Sequence, residues 1–364
     1  MTRVLHLAPV DVDFETHRAL GALGAGGLLG GEFDARTARM GRGGDWRGLP
    51  SAAWGLRRTN PADVVHAWGP RALTAAALAG VGRIVYSPMG AASPRAVNWL
   101  RAVSGHRDVH AVCPTVTIRR AMLGAGVEPA RCHLIRPGVD FAKVKRRRDP
   151  ALRAALGFAP GDEVLFAVGE STRAAGHALA AWALGLLHRL HPQTRLLLWG
   201  RGDHADAVER FAGQMLVGNA VRLAEQRLGR TVELEELFPA ADTLLVTAGE
   251  IVPTLPVAVA MAAALPIVAT VSSTIGELLE DRHTALLAPP HAPRLLAQRI
   301  LEMRDRKDLQ WSTADMARVE AYEFFAQSRF VNQHRQLYRQ VAAGGPVEIP
   351  EIGPGAGLRF HGRG

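Results

Sequence analysis

The sequence predicts an α/β protein of two similar halves, each a parallel sheet covered by helices. Three observations carry this. Short apolar runs alternate with helix-like segments along almost the whole chain. Those runs are continuous rather than alternating, as in strands buried on both faces. The pattern also pauses once, at Pro137-Gly138-Val139-Asp140 and the basic run after it, before a fresh series begins near Val164.

The elements follow in order. In the first half the predicted strands are Val4–Leu7, Asp63–Ala67, Arg83–Tyr86, Val109–Val112 and Cys132–Ile135. In the second half they are Val164–Val168, Arg195–Trp199, Thr243–Val246, Ile267–Thr270 and Ala285–Leu287. The pause predicts a boundary at about residues 140–160 between two Rossmann-like halves. Ligands in such sheets bind beyond the carboxyl ends of the strands. A last helix is expected over Tyr322–Val341, and the Gly/Pro-rich tail from Ala342 is expected to be disordered.

Composition narrows the function classes. With 48% hydrophobic and 21% charged residues, the 364-residue chain can bury a large core and is not globally disordered. Two cysteines, Cys113 and Cys132, are too few for a disulfide framework or a zinc site, and the scattered histidines lack ligand spacing, so no metal site is expected. No apolar leader opens the sequence, which predicts a cytoplasmic protein. The formal charge of +9 could attract anions, but its densest run, Lys143–Arg148, carries no interleaved aromatics. Nucleic acid is therefore not an expected partner. A plain exposed connector is the simpler reading of that run, and peripheral contact with an anionic membrane surface is the other.

The stretch Glu250–Glu277 has no charge between its two glutamates and is long enough to cross a bilayer. Pro253, Pro256 and Pro266 argue against one continuous helix. The prolines divide it into a loop to Pro256, a buried helix from Val257 to about Ala264, and a strand at Ile267–Val271.

This loop–helix–proline–strand order, with its neighbours, resembles the GT-B glycosyltransferases of family 4. The run HLIRPGVD (His133–Asp140) is similar to the strand and turn that close the family's N-terminal domain. VLFAVGE (Val164–Glu170) and RLLLWGRGDH (Arg195–His204) resemble its first nucleotide-sugar-domain strand and its strand ending in Gly-x-Gly. ELEELFPAADTLLVTA (Glu233–Ala248) and AMAAALPIVAT (Ala260–Thr270) continue the likeness, and ADVVHAWG (Ala62–Gly69) matches an N-terminal strand. The resemblance implies an acceptor-side domain over 1–145 and a nucleotide-sugar-side domain over 155–320. It also implies a helix at 321–341 packing back on the first domain, then a tail over 342–364. It further implies transfer of a sugar from a nucleotide-diphosphate donor to a glycan or lipid acceptor, with retention and without a bound metal or other cofactor.

The match breaks where ligand would be held. Such a site needs cations and helix amides against the leaving diphosphate. The family's arginine falls on Glu170 and its lysine on Ala175, with Arg173 between them as a substitute. Of the family's paired glutamates, the ribose-binding one falls on Val259. The other falls on Ile251, or on Glu250 with one extra loop residue. A Gly-Gly loop is replaced by Pro9–Phe14, a second Gly-Gly pair by Ser273-Thr274, and the catalytic-site histidine falls on Met89 or Pro88. Fold-defining Gly138, Asp140, Gly200, Gly202, Asp242 and Pro266 are kept. Two functions follow: an active transferase, or an inactive GT-B protein that binds a glycan or nucleotide or scaffolds a partner. The donor-side candidates are Arg173, Gly200, Arg201, Gly202, Glu250, Val252 and Thr254. The acceptor-side candidates are His66, Asp11, Asp13 and Met89. Each has a plainer reading: turn glycines for Gly200 and Gly202, capping or solvation for Glu250, a satisfied strand-end histidine for His66, and helix N-terminal charges for Asp11, Asp13 and Glu15.

Overall fold

The computed structural model describes residues 1–41, 47–59, 62–88, 100–105, 107–169, 175–200, 205–249 and 254–351. They divide into two compact units: unit 1 is Met1–Gly138 with Phe325–Ala356 as far as described, and unit 2 is Val139–Phe324.

Unit 1 holds the parallel sheet β2-β1-β3-β4-β5-β6. Its strands are β1 (Thr2–Pro9), β2 (Phe33–Met40), β3 (Val64–Trp68), β4 (Arg83–Ser87), β5 (Asp108–Cys113) and β6 (Cys132–Leu134). Unit 2 holds the parallel sheet β12-β11-β10-β7-β8-β9. Its strands are β7 (Glu163–Val168), β8 (Thr194–Trp199), β9 (Val221–Leu223), β10 (Thr243–Val246), β11 (Ile267–Thr270) and β12 (Leu286–Ala288). In both sheets the order reverses beside the first strand. In unit 2 that switch point lies between β7 and β10, where diverging connections leave a crevice.

β2 and β9 were not among the predicted strands. Both are edge strands, and β2 (FDARTARM) is exposed or half-buried at most positions, so it lacks the continuous apolar signature of the central strands. Edge strands tolerate charge because one side faces water.

The charge-free stretch contains the helix Thr254–Ala263, not one starting at Val257. Pro256 is its third residue, where the missing N–H would have had no intrahelical partner. Every residue of this helix is buried, and it packs on the helix Lys307–Phe324. Among the described residues, no helix is long and apolar enough to cross a membrane.

The expected helix Tyr322–Val341 is in fact two helices, Lys307–Phe324 and Gln327–Ala343. Phe325 is buried and Ala326 is extended (φ −60°, ψ 130°), so an anchored aromatic breaks the helical run. The second helix lays Phe330, Val331, Leu337, Tyr338 and Val341 on one face of the unit 1 sheet, with Leu20 and Leu23 of the helix Phe14–Leu23. The opposite face is covered by the helices Leu49–Thr59, Gly69–Leu78 and Val116–Gly124. Gly138 lies under this final helix: a Cβ there would come within 2.9 Å of Phe330 Cβ and 3.0 Å of Gln327 Cα.

The tail expected to be disordered from Ala342 is ordered through Glu351. Gln333 and Gln336 donate to the carbonyls of Pro350 and Glu348 at 2.8 and 2.9 Å, and Gln340 accepts from the Glu348 amide at 2.8 Å. These three glutamines share one face of the helix and satisfy an extended strap, while Val347 and Ile349 cover the core.

Candidate functional site

The site that the topology favours is at the carboxyl ends of β7 and β10. β7 leaves through Gly169 (φ +151°) and β8 through Gly200 (φ +138°), both in conformations that side chains rarely adopt. The connection from β7 returns at Gly176, which starts the helix His177–His188 in a left-handed conformation (φ +71°). A Cβ on Gly176 would sit 1.9 Å from the Thr247 carbonyl oxygen, just past β10. The hydroxyl of Thr247 donates to the Ala175 carbonyl at 3.4 Å. Glycine therefore lets the β7 connection touch the β10 exit, closing the floor of the switch point. The hydroxyl of Thr270, at the end of β11, donates to the Val246 carbonyl at 3.3 Å and fixes the neighbouring exit.

Two helices follow these strand exits along the chain, starting at His177 after β7 and at Thr254 after β10. The amino-terminal ends of these helices carry the positive end of the helix dipole. The arrangement can accept an anion. Two side chains that the family resemblance would make polar are instead buried and apolar. Ala175 stands at the lysine position and is 8% exposed; Val259 stands at the ribose-binding glutamate and is fully buried. Neither can reach a ligand with charge.

The sequence-based candidates separate. Arg173, Arg201, Gly202, Glu250, Val252 and Met89 lie outside the described residues, as does Glu170. Gly200 satisfies a backbone requirement by its φ. Thr254 is buried at the first position of its helix. Gly176, Thr247 and buried His177 were missed; the signal for Gly176 was a glycine directly ahead of the apolar run HALAAWALGLL.

On the unit 1 side, Asp13 caps a helix: its carboxylate accepts the Thr16 amide at 2.7 Å. Asp11 is exposed in the loop before it. An acceptor-side role for His66 does not hold. Its ring is fully buried, with Nδ1 2.7 Å from Tyr338 Oη and Nε2 2.8 Å from Ser87 Oγ. It stacks on Trp68 at 4.1 Å, and His6 and His334 lie within 6.0 Å of it. Burial, and then the repulsion of His6 and His334, hold its pKa well below 6.5, so it is neutral at pH 7. Trp68 donates to His6 Nδ1 at 3.2 Å, so His6 carries its proton on Nε2 and donates it to the Leu23 carbonyl at 3.0 Å. His334 donates from Nδ1 to the Phe330 carbonyl at 2.9 Å. The cluster joins three strands to the final helix and is structural. Tyr338→Phe leaves a buried His66 nitrogen without its partner. Chemical denaturation is expected to show a loss of about 1–3 kcal/mol, and a change below about 0.5 kcal/mol would contradict the assignment.

The basic run is less free than its composition suggested. Arg148 pairs with Asp242. The same carboxylate accepts the Val164 amide at 2.8 Å and Arg153 at 3.2 Å, joining the connector to the start of β7 and the turn before β10. Asp140 accepts the Ala142 amide at 3.1 Å, a local turn.

Two Rossmann-like six-stranded sheets in one chain define the GT-B class of architecture, and comparison with solved structures agrees. HepE from Anabaena, in complex with UDP and glucose, matches with a TM-score of 0.76 at 17% identity, over 93% of this chain and 100% of that one. Sucrose-phosphate synthase from Thermosynechococcus elongatus matches at 0.78 and 16% identity, over 95% and 100%. A glycosyltransferase from Rickettsia africae matches at 0.75 and 14% identity, over 93% and 98%. No curated protein matches the sequence. Residues 162–306 match the family model described as Glycosyl transferases group 1. The matched segment lies within unit 2 and contains the switch point.

Proposed function

We propose that the protein is a nucleotide-sugar-dependent glycosyltransferase. Unit 2 holds a nucleoside diphosphate sugar at the β7/β10 switch point, and the sugar passes to a glycan or lipid acceptor with retention of configuration. The observation that supports this best is the Gly176–Thr247 contact. It shapes that crevice between two helix starts, inside the segment that matches the family. The positive ends of the helices starting at His177 and Thr254 favour the diphosphate, and the reading assigns Arg173 and Glu250 as side-chain donor contacts, with the loop amides of Val252 to Thr254. It needs no bound metal or other cofactor and places the protein in the cytoplasm. UDP is the first nucleotide to test, because it is bound in the HepE structure.

One observation favours a second reading, a GT-B protein that binds its ligand without turnover: buried Ala175 and Val259 remove two polar contacts from the donor site. Calorimetric titration with UDP, GDP and their sugars separates the readings. Saturation at 100 times the dissociation constant stabilises the fold by about 2.7 kcal/mol. Binding with release of nucleotide in the presence of acceptor supports the transferase. Binding without release supports the inactive reading, and no binding by any nucleotide rejects the transferase. Arg173→Ala is expected to weaken nucleotide binding about tenfold; unchanged affinity removes Arg173 from the site.

A further inference from the structure

A second concave site lies in unit 2, at the other end of its sheet. Glu163 opens β7, Asp242 precedes β10, and Leu265-Pro266 lead into β11, so this cavity of roughly 540 Å³ sits against the amino-terminal edge of the strands. The basic run contributes Lys145, Arg146 and Arg148 to its wall, and Arg304, Lys307 and Trp311 come from the helices Pro293–Asp305 and Lys307–Phe324.

Its charges do not cancel. The three carboxylates in the wall are committed within the protein. Asp162 accepts the Ala159 amide at 2.8 Å and pairs with Arg195 at 3.1 Å. Asp242 holds Arg148 and Arg153. Glu163 accepts the Thr194 hydroxyl at 3.3 Å. Burial raises the Glu163 pKa against the opposing pull of Arg304 and Lys307. The cations are less matched. Lys307 donates to the neutral Gln310 side chain at 3.0 Å, and Arg304 turns to Asp305 beside it. Lys145 and Arg146 make no hydrogen bond or ion pair with any described residue. Lys307, Gln310 and Trp311 are in the first turns of an 18-residue helix, so its positive end also faces the cavity. Trp311 is 67% exposed and puts an apolar ledge at the rim.

We propose that this cavity binds a phosphorylated anion through Lys145, Arg146 and Lys307, away from the switch-point crevice. Primary amines and a guanidinium group held in no salt bridge with a described residue, around a concave wall, suit the oxygens of a phosphate group. The phosphate can belong to a soluble compound or to a lipid headgroup, with Trp311 at the bilayer interface in the second case.

The test titrates inorganic pyrophosphate into the full chain and follows tryptophan fluorescence, with Trp311→Phe to identify the responding ring. A parallel arm co-sediments the protein with vesicles of phosphatidylglycerol and phosphatidylcholine, against phosphatidylcholine alone. The variants are Lys145→Gln/Arg146→Gln and Lys307→Gln, whose thermal melting should match the parent because these exposed side chains tie no element together. Pyrophosphate binding that falls about tenfold in the double variant supports a soluble phosphorylated ligand. Co-sedimentation with the anionic vesicles alone, lost in the same variant, supports a headgroup. UDP affinity should be unchanged in both variants, which keeps this site apart from the proposed donor site and distinguishes its failure from failure of the transferase reading. Absence of binding in both arms, or binding that neither variant weakens, overturns the proposal.

Discussion

Acidification from pH 6.5 towards 4 is expected to unfold unit 1. His6, His66, His110, His133 and His334 are buried there with lowered pKa values. Desolvation is the leading cause in each case. His6 and His133 fall to about 3 and His334 to about 4. The sign follows from linkage. Below about pH 6.5 the unfolded chain binds a proton at each ring. The folded chain does not bind one until the lowered value is reached, so stability falls with pH across that window. At pH 5 each of His6, His133 and His334 costs about 2 kcal/mol. Together they approach the whole stability of an ordinary domain, roughly 5–15 kcal/mol. Hydrogen exchange should then show β1, β3 and β5 opening between pH 6 and 4.5. His334→Leu should flatten the dependence by about 1.4 kcal/mol per pH unit. A stability that does not change between pH 7 and 4.5 would show that these rings are not held neutral.

Asp242→Ala is expected to destabilise unit 2 by about 3–5 kcal/mol, the cost of removing one partner from a buried ion pair. Arg153 is 3% exposed, and its other bonds run to the carbonyls of Ala240 and Asp162, so no second carboxylate can take over its charge. The Val164 amide also loses its acceptor, and Arg148 is released. Asp242→Asn keeps an oxygen for the amide but not the charge, so about half the loss is expected. Urea denaturation followed by exchange at β7 and β10 reads both. A loss under about 1 kcal/mol for the alanine variant would mean that Arg153 finds water instead.

The central strands of both sheets were legible because each carries its burial in its own residues: a strand covered on both faces needs an unbroken apolar run, whatever covers it. Asp13 was legible as a helix-end charge for the same local reason, since its acceptor role is completed three residues away. β2 and β9 were hidden because neither carries a continuous apolar run of its own, and each owes its place to the strand beside it. The split at Phe325 was hidden because helical periodicity continues through it, and only burial of that ring shows the break. The glutamines that hold the tail are common surface residues until the strap is seen lying along them.

Near the candidate site, the sequence by itself determined the order of elements, the crevice-forming sheet and the apolar side chains at Ala175 and Val259. Each of these follows from residue type and from neighbours close along the chain. The tertiary structure decided the rest. Gly176 is constrained by a carbonyl 71 positions away, and His66 is hydrogen-bonded to a tyrosine 272 positions away. The cationic cavity combines a connector with two helices more than 150 residues later. Charge balance, tautomer and steric need are properties of pairs, and pairs distant in sequence meet only when the chain is folded.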